Sequence, residues 1–323
     1  MVLSNGVISM YNQEVKMRFI TERYGADNDN ASKIALFRRI APIERELNRD
    51  VAEFSESDAR IAVANAGIIE KATLEKFRSL MKIYSQWCSD CEVFQNVTAN
   101  MANAKPTEKD LASQVSAILF KDEEDLIRSM KKVRPFFDEG RLDVVIVAMA
   151  WIGIEKARVL EILDSEVDLD GRTFYDHDGR VLVSGYSDTI ADIFHQYNCC
   201  NEAIRRTGTG ERIVYKDRSL PFFLKNFYKR GSPKMGVPMR PRAISSFIED
   251  INVEYMDKGY ESRFTFSNIQ LSGRLNRLFA LEESGVDVMS EDNRDIVESI
   301  FDGSKKYDRI IWIYASYKRA FNL

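Results

Sequence analysis

The chain has 323 residues, 45% of them hydrophobic and 30% charged, and carries a formal net charge of −4. That length sustains two domains with separate cores, and the composition is that of an ordinary globular protein. The longest apolar stretch, Val144 to Ile154, is too short for a bilayer span of about 20 residues, and Met1 to Lys16 lack a basic region followed by an apolar run, so a cytoplasmic, nucleoid-associated location is expected with no membrane partner.

The first hundred residues read as helices. Tyr11, Val15 and Phe19 recur at helical spacing up to Gly25. A second helix covers Ala31 to Ile40, with Leu36, Phe37 and Ile40 on one stripe, and Pro42 breaks or restarts it. Ser55 or Ser57 caps a third helix, Asp58 to Ala66, closed by Gly67. A fourth runs from Thr73 to Trp87 with Leu74, Phe77, Leu80, Met81 and Tyr84 inward and Lys71, Lys76, Arg78 and Lys82 on its other face. Residues 1–95 thus form a small helical domain. The polar stretch to Pro106 has no sustained period, and 96–106 reads as a linker to a second domain, 107–323.

Pro106 and Thr107 open a helix with acids in its first turn. Helices follow at Asp122 to Met130 and Leu142 to Leu163. Asp170-Gly171 and Asp178-Gly179, each beside strand-forming residues, then mark a small antiparallel meander. Helices resume at Ser187–Tyr197, Ala243–Met256, Ser267–Glu283, Asn293–Phe301 and Tyr307–Phe321. The fold class is mainly α with a small antiparallel β-meander.

Cys88-x-x-Cys91 and the adjacent Cys199 and Cys200 read as ordinary thiols rather than a metal site, because neither His177 nor His195 stands at ligand spacing to the first pair. No cofactor is expected. The modest negative charge hides an asymmetry: Arg205 to Arg242 holds eleven Lys or Arg against Glu211 and Asp217. A basic face on an acidic chain is the electrostatic footprint of a nucleic-acid binder.

This order resembles the tyrosine recombinase (phage integrase) family: a four-helix module, a linker, then a larger helical domain with an early β-meander. Ala72 to Trp87 resembles the family's core-binding helix. Ala148 to Gly171 resembles its first catalytic box, and Gly303 to Ser316 the segment carrying its nucleophilic tyrosine. The resemblance implies a helical core-binding domain plus a larger α+β domain built like the catalytic one, with double-stranded DNA as partner.

Strand cleavage by a tyrosine needs two arginines on the phosphate and histidines and a lysine for proton transfer. Glu155 holds the first arginine position, and an acid repels a phosphate there. The second box aligns best on Ser267 to Leu271, so Gln270 replaces the second arginine, and Ser267 and Leu271 replace two histidines; a shifted register puts Arg274 at the arginine position but Gly273 where the apolar residue belongs. Tyr314 alone matches. One lost charge-stabilising donor costs about 10²–10³ in rate, so the resemblance implies a degenerate, inactive member. Tyr314 then reads as an aromatic packing with Ile310, Ile311 and Ile313.

Affinity for a duplex comes from distributed phosphate contacts and survives the loss of chemistry. The expected function is a DNA-binding transcriptional repressor of a prophage, with an antirepressor and an oligomer on DNA left open. An active recombinase using Tyr314 with displaced arginines Arg158 and Arg274 is the alternative, and a helical protein-interaction scaffold a second. The candidate DNA contacts are Lys33, Arg38, Arg39, Lys76, Arg78 and Lys82 in the first domain. In the second they are Arg205, Arg206, Lys225, Lys229, Arg230, Lys234, Arg240, Arg242 and Arg274. Gln270 and Asn268 are amides that could read adenine or serve a cap or buried network.

Overall fold

The computed structural model describes residues 9–26, 30–134, 142–199, 202–207, 210–215 and 241–323. They divide into two compact units, one of residues 1–116 and 306–323, the other of 117–305.

The first unit contains α1 (Gln13–Tyr24), α2 (Ala31–Leu47), α3 (Glu56–Asn65), α4 (Lys71–Asp90), the single-turn α5 (Asn100–Asn103), most of α6 (Glu108–Ile118) and the C-terminal α13 (Tyr307–Phe321). Ser55 starts α3 with a capping box: its hydroxyl accepts the Asp58 N–H and Asp58 accepts the Ser55 N–H, which satisfies two donors the helix leaves open. Thr107 and Asp110 repeat the device at α6. The expected break at Pro42 does not occur, and α2 runs through it. Pro42 and Arg38 both lie on the exposed side, where a helix tolerates a proline because the carbonyl left without its donor can face solvent.

The core of this unit is aromatic. Phe19 and Phe37 meet Tyr84 at ring-centroid distances of 5.1 and 5.0 Å, edge to face, each such pair adding about 1 kcal/mol beyond its burial. The stretch expected to be a linker packs on the unit: Met101 and Ala104 are buried. Thr98 N–H donates to the Ala52 carbonyl at 2.7 Å, and Asn100 Nδ2 donates to the Phe54 carbonyl at 2.9 Å. The boundary between units falls inside α6, and α13, which the sequence assigns to the second domain, belongs to the first unit.

The second unit is built on α8 (Leu142–Trp151), every residue of which is buried. A helix apolar all round must be surrounded, and α7 (Glu123–Val133), α9 (Asp188–Cys199), α10 (Pro241–Asp257) and α11 (Phe266–Glu283) belong to the same unit. The expected helix to Leu163 ends instead at Trp151, because Gly153 adopts φ +92° and turns the chain. Short 3-10 turns at Arg158–Leu160 and Asp164–Glu166 lead to the meander. Its strands β1 (Val167–Asp168), β2 (Thr173–Tyr175) and β3 (Val181–Ser184) pair antiparallel in the order β1-β2-β3, with Phe174 opposite Val167 and Val183. A second sheet, absent from the sequence reading, is the hairpin β4 (Glu202–Thr207) and β5 (Gly210–Tyr215). The short α12 (Arg294–Ser299) closes this unit. Mostly helical with a small three-stranded antiparallel sheet, the architecture is the class the sequence indicates. Among the described residues no helix is long and apolar enough to cross a membrane.

Candidate nucleic-acid interface

In the first unit the cations sort by what holds them. Arg38, Lys76 and Lys82 are exposed, with no ion-pair partner among the described residues. Arg39 donates to the Gly67 carbonyl at 2.7 Å, and Arg78 Nε donates to the Ala102 carbonyl at 2.9 Å. Lys33 donates to Asn30 at 3.2 Å with its ammonium 4.4 Å from the Tyr24 ring centroid. Those three tie the unit's own segments together. Arg45, one helical stripe with Arg38 and missing from the sequence candidates, is exposed but bonds Ser9 Oγ at 2.9 Å.

In the second unit Arg205 and Arg206 stand on β4, at Cα positions opposite Arg212 and Glu211. Arg242 lies in the first turn of α10. Lys225, Lys229, Arg230, Lys234 and Arg240 lie outside the described residues.

Arg274 is not on a surface. It is 4% exposed, and with Gln270 and Arg277 it forms one stripe of α11 (i, i+4, i+7) facing the chain where α8 ends. Gly273 lets α11 come this close: a Cβ built there would lie 2.8 Å from the Trp151 carbonyl carbon and closer still to its oxygen. A buried helix end must satisfy its last carbonyls, and this stripe does so. Gln270 Nε2 donates to the Gly153 and Ile154 carbonyls at 3.1 and 3.2 Å. Arg274 Nη2 reaches the Gly153 carbonyl at 3.3 Å, and Arg277 Nη1 the Ile152 carbonyl at 2.7 Å.

Two carboxylates complete the cluster. Glu155 Oε1 accepts from Arg274 Nη2 at 2.6 Å and from Gln270 Nε2 at 3.2 Å, and Asp302 Oδ2 accepts from the same Arg274 nitrogen. Burial pushes the Arg277 guanidinium down to about 10, helped by the neighbouring Arg274 charge. Burial likewise raises the Asp302 carboxyl, which Arg274 opposes and Glu155 reinforces. Position 155, where a phosphate-binding arginine was sought, therefore holds a carboxylate already engaged by an arginine.

The other positions follow suit. Ser267 is exposed next to Thr265, the residue that caps α11, and Leu271 is half-buried. Asn268 Nδ2 donates to the Arg263 carbonyl at 3.3 Å, so both amides singled out as base readers are turned into the fold. Arg158 belongs to a separate cluster: it donates to Glu166 at 3.0 Å and shares a hydrogen bond with His177 Nε2 at 2.8 Å. Tyr314 is completely buried on α13, along with Ile310 and Ile313, while Ile311 is half-buried. Cys88 is buried, its thiol pushed up to about 12 by that burial, and no group of metal-ligating side chains occurs among the described residues.

Residues 10–90 match the family model described as MrpR, N-terminal core-binding domain. That stretch, a quarter of the chain, is similar to an MrpR-type core-binding domain. Two solved structures are similar to it over nearly its whole length. One is a XerA recombinase, 10% identical with a TM-score of 0.40, covering 97% of this chain and 98% of that one. Another is the Tn1549 transposon integrase in complex with circular intermediate DNA, 14% identical with a TM-score of 0.34, covering 94% and 95%. No curated protein sequence matches the chain. The MrpR-type domain comprises α1 to α4, the helices that hold Arg38, Lys76 and Lys82.

Proposed function

We propose that this protein binds double-stranded DNA through its MrpR-type core-binding domain and acts as a transcriptional repressor that maintains a prophage, without cutting the DNA. The match of residues 10–90 to a core-binding domain carries the reading. The sequence resembles the recombinase-like master repressor of SPbeta-type Bacillus phages, which supports the repressor role. Support for inactivity comes from the second unit: Glu155 and Gln270 stand where the resemblance seeks arginines, and Arg274 is neutralised by two acids. A pocket whose positive charge is already paired gives little stabilisation to charge developing on a phosphate.

Repression follows from occupancy, since a protein held across a promoter excludes polymerase. The contacts proposed in the first unit are Arg38, Lys76 and Lys82, acting on phosphates without reading sequence. In the second, the basic segment from Arg205 to Arg242 supplies further phosphate contacts.

The test pairs two assays. Electrophoretic shift of repeats upstream of lytic genes, followed by footprinting, should show saturable binding that weakens steeply with salt. Incubation with a nicked suicide substrate should give no covalent adduct. A Tyr314-dependent adduct refutes the repressor reading in favour of an active recombinase, and absence of any shift at low salt supports a scaffold instead.

A further inference from the structure

Two half-exposed carboxylates close over Arg274, one of two neighbouring arginines of α11. The Glu155 and Asp302 side chains are 52% and 54% exposed, against 5% for Arg274. An anion arriving from solvent at Arg274 therefore meets carboxylates before it meets the guanidinium. Arg274 spends one nitrogen on Glu155, Asp302 and the Gly153 carbonyl together. Arg277 sits one turn further on, bonded to the Ile152 carbonyl, with no carboxylate at ion-pair distance among the described residues. The Nε atoms of both arginines are buried without a hydrogen-bond partner. Two cations face two anions, so the cluster is close to neutral, and one cation of the pair has no acid of its own.

Carboxylate and phosphodiester oxygens are interchangeable acceptors for a guanidinium, both binding it through charge-assisted hydrogen bonds. What occupies Arg274 thus decides whether a phosphate can. We infer that Glu155 and Asp302 are specificity-determining residues that occupy Arg274 in cis and exclude a phosphodiester oxygen from the Arg274–Arg277 pair. In the proposed DNA complex, on which this last step rests, the backbone is held by cations elsewhere and no phosphate enters the cluster. Removing both carboxylate charges while keeping their shape leaves two uncompensated guanidinium groups, an anion site of charge +2. The carbonyls of Ile152, Gly153 and Ile154 keep the arginines in place, because their hydrogen bonds to α11 do not depend on either acid.

The experiment uses the full chain as wild type, Glu155→Gln, Asp302→Asn and the double variant, each checked for folding by circular dichroism. Inorganic phosphate is titrated at constant ionic strength against chloride while the unfolding temperature is followed. The wild type should respond to phosphate as it does to chloride, and the double variant should rise saturably, an effect abolished by adding Arg274→Gln. With DNA, the double variant's logarithmic salt dependence should steepen by about one to two phosphates. A folded double variant that treats phosphate as chloride overturns the inference and makes the carboxylates purely structural partners. If the double variant does not fold, Glu155→Gln and Asp302→Asn decide together, since both acids are half exposed: saturable phosphate stabilisation of either supports exclusion, and its absence from both refutes it. Should the wild type fail to bind any DNA while the double variant takes phosphate, the repressor reading falls and the exclusion stands.

Discussion

Replacing Glu44 with Gln should remove a pH dependence from the core-binding domain. Glu44 and Lys16 are fully buried, their Oε1 and Nζ 2.5 Å apart, and Asp50 Oδ2 lies 3.3 Å from the same Nζ. The ammonium also donates to the Tyr11 carbonyl at 2.8 Å, while Val51 N–H donates to Glu44. Packed against the group are Tyr84 and Phe37, whose rings lie 6.0 and 5.5 Å from Nζ. Two acids against one base in a dry pocket push the Glu44 carboxyl up to about 7; burial is the largest cause, opposed by Lys16 and reinforced by Asp50. The folded state therefore binds a proton that the unfolded chain, with an ordinary carboxyl near 4.5, has lost. The stabilisation is complete below the unfolded value and is lost as pH rises through 7. Integrating the linkage from pH 5 to pH 8 gives about 2.5 kcal/mol. Amide hydrogen exchange over residues 13–24 and 31–53, corrected for the intrinsic rate, reads the opening free energy of this region. The wild type should lose about 2.5 kcal/mol more than Glu44→Gln across that range. Equal slopes for the two proteins would refute the reasoning, as would a wild type that gains on Glu44→Gln while pH rises.

Gly273→Ala should separate α11 from α8, because the Cβ meets backbone at Trp151 that cannot step aside; a loss of about 3 kcal/mol is expected, measured by urea unfolding with Trp151 fluorescence in a variant lacking the other tryptophans. Arg134→Met removes the buried guanidinium that bonds Asp143 and Glu254; the expected cost is about 3 kcal/mol in the same assay. Arg38→Ala, Lys76→Ala and Lys82→Ala should each leave stability unchanged and reduce the salt slope of DNA binding by about one, whereas Arg39→Ala should also lower the unfolding temperature, since it gives up the bond to Gly67.

Local chemistry made much of the fold legible. Ser55 and Asp58, like Thr107 and Asp110, announce helix starts because a cap is a short-range event. The alternation around Asp170-Gly171 and Asp178-Gly179 marks the meander for the same reason. Gly153 was hidden inside an apolar run, and apolarity alone does not distinguish a helix from the turn that ends it. The β4–β5 hairpin was masked by charge: Arg205, Arg206, Glu211 and Arg212 made a strand pair look like a basic loop. The candidate site divides likewise. Glu155 was readable because it follows Gly153-Ile154 directly, but its partnership with Arg274 and Asp302 joins segments far apart in sequence. Lys16 reads as one more polar residue on α1, and only the packing of α1 against α2 shows that it is buried.

The placement of α13 in the first unit makes that unit discontinuous, with the whole of 117–305 interposed between its parts. A ribosome must synthesise the entire second unit before α13 can reach α4. Until then α4 lacks that covering, although the buried aromatic core of α1 to α4 draws on no residue of α13. Closing so long a loop costs roughly 5 kcal/mol in chain entropy if the intervening residues are unstructured, and much less once they have collapsed into a compact body. Order of synthesis and order of assembly thus run opposite ways: the domain begun first is finished after the one nested within it.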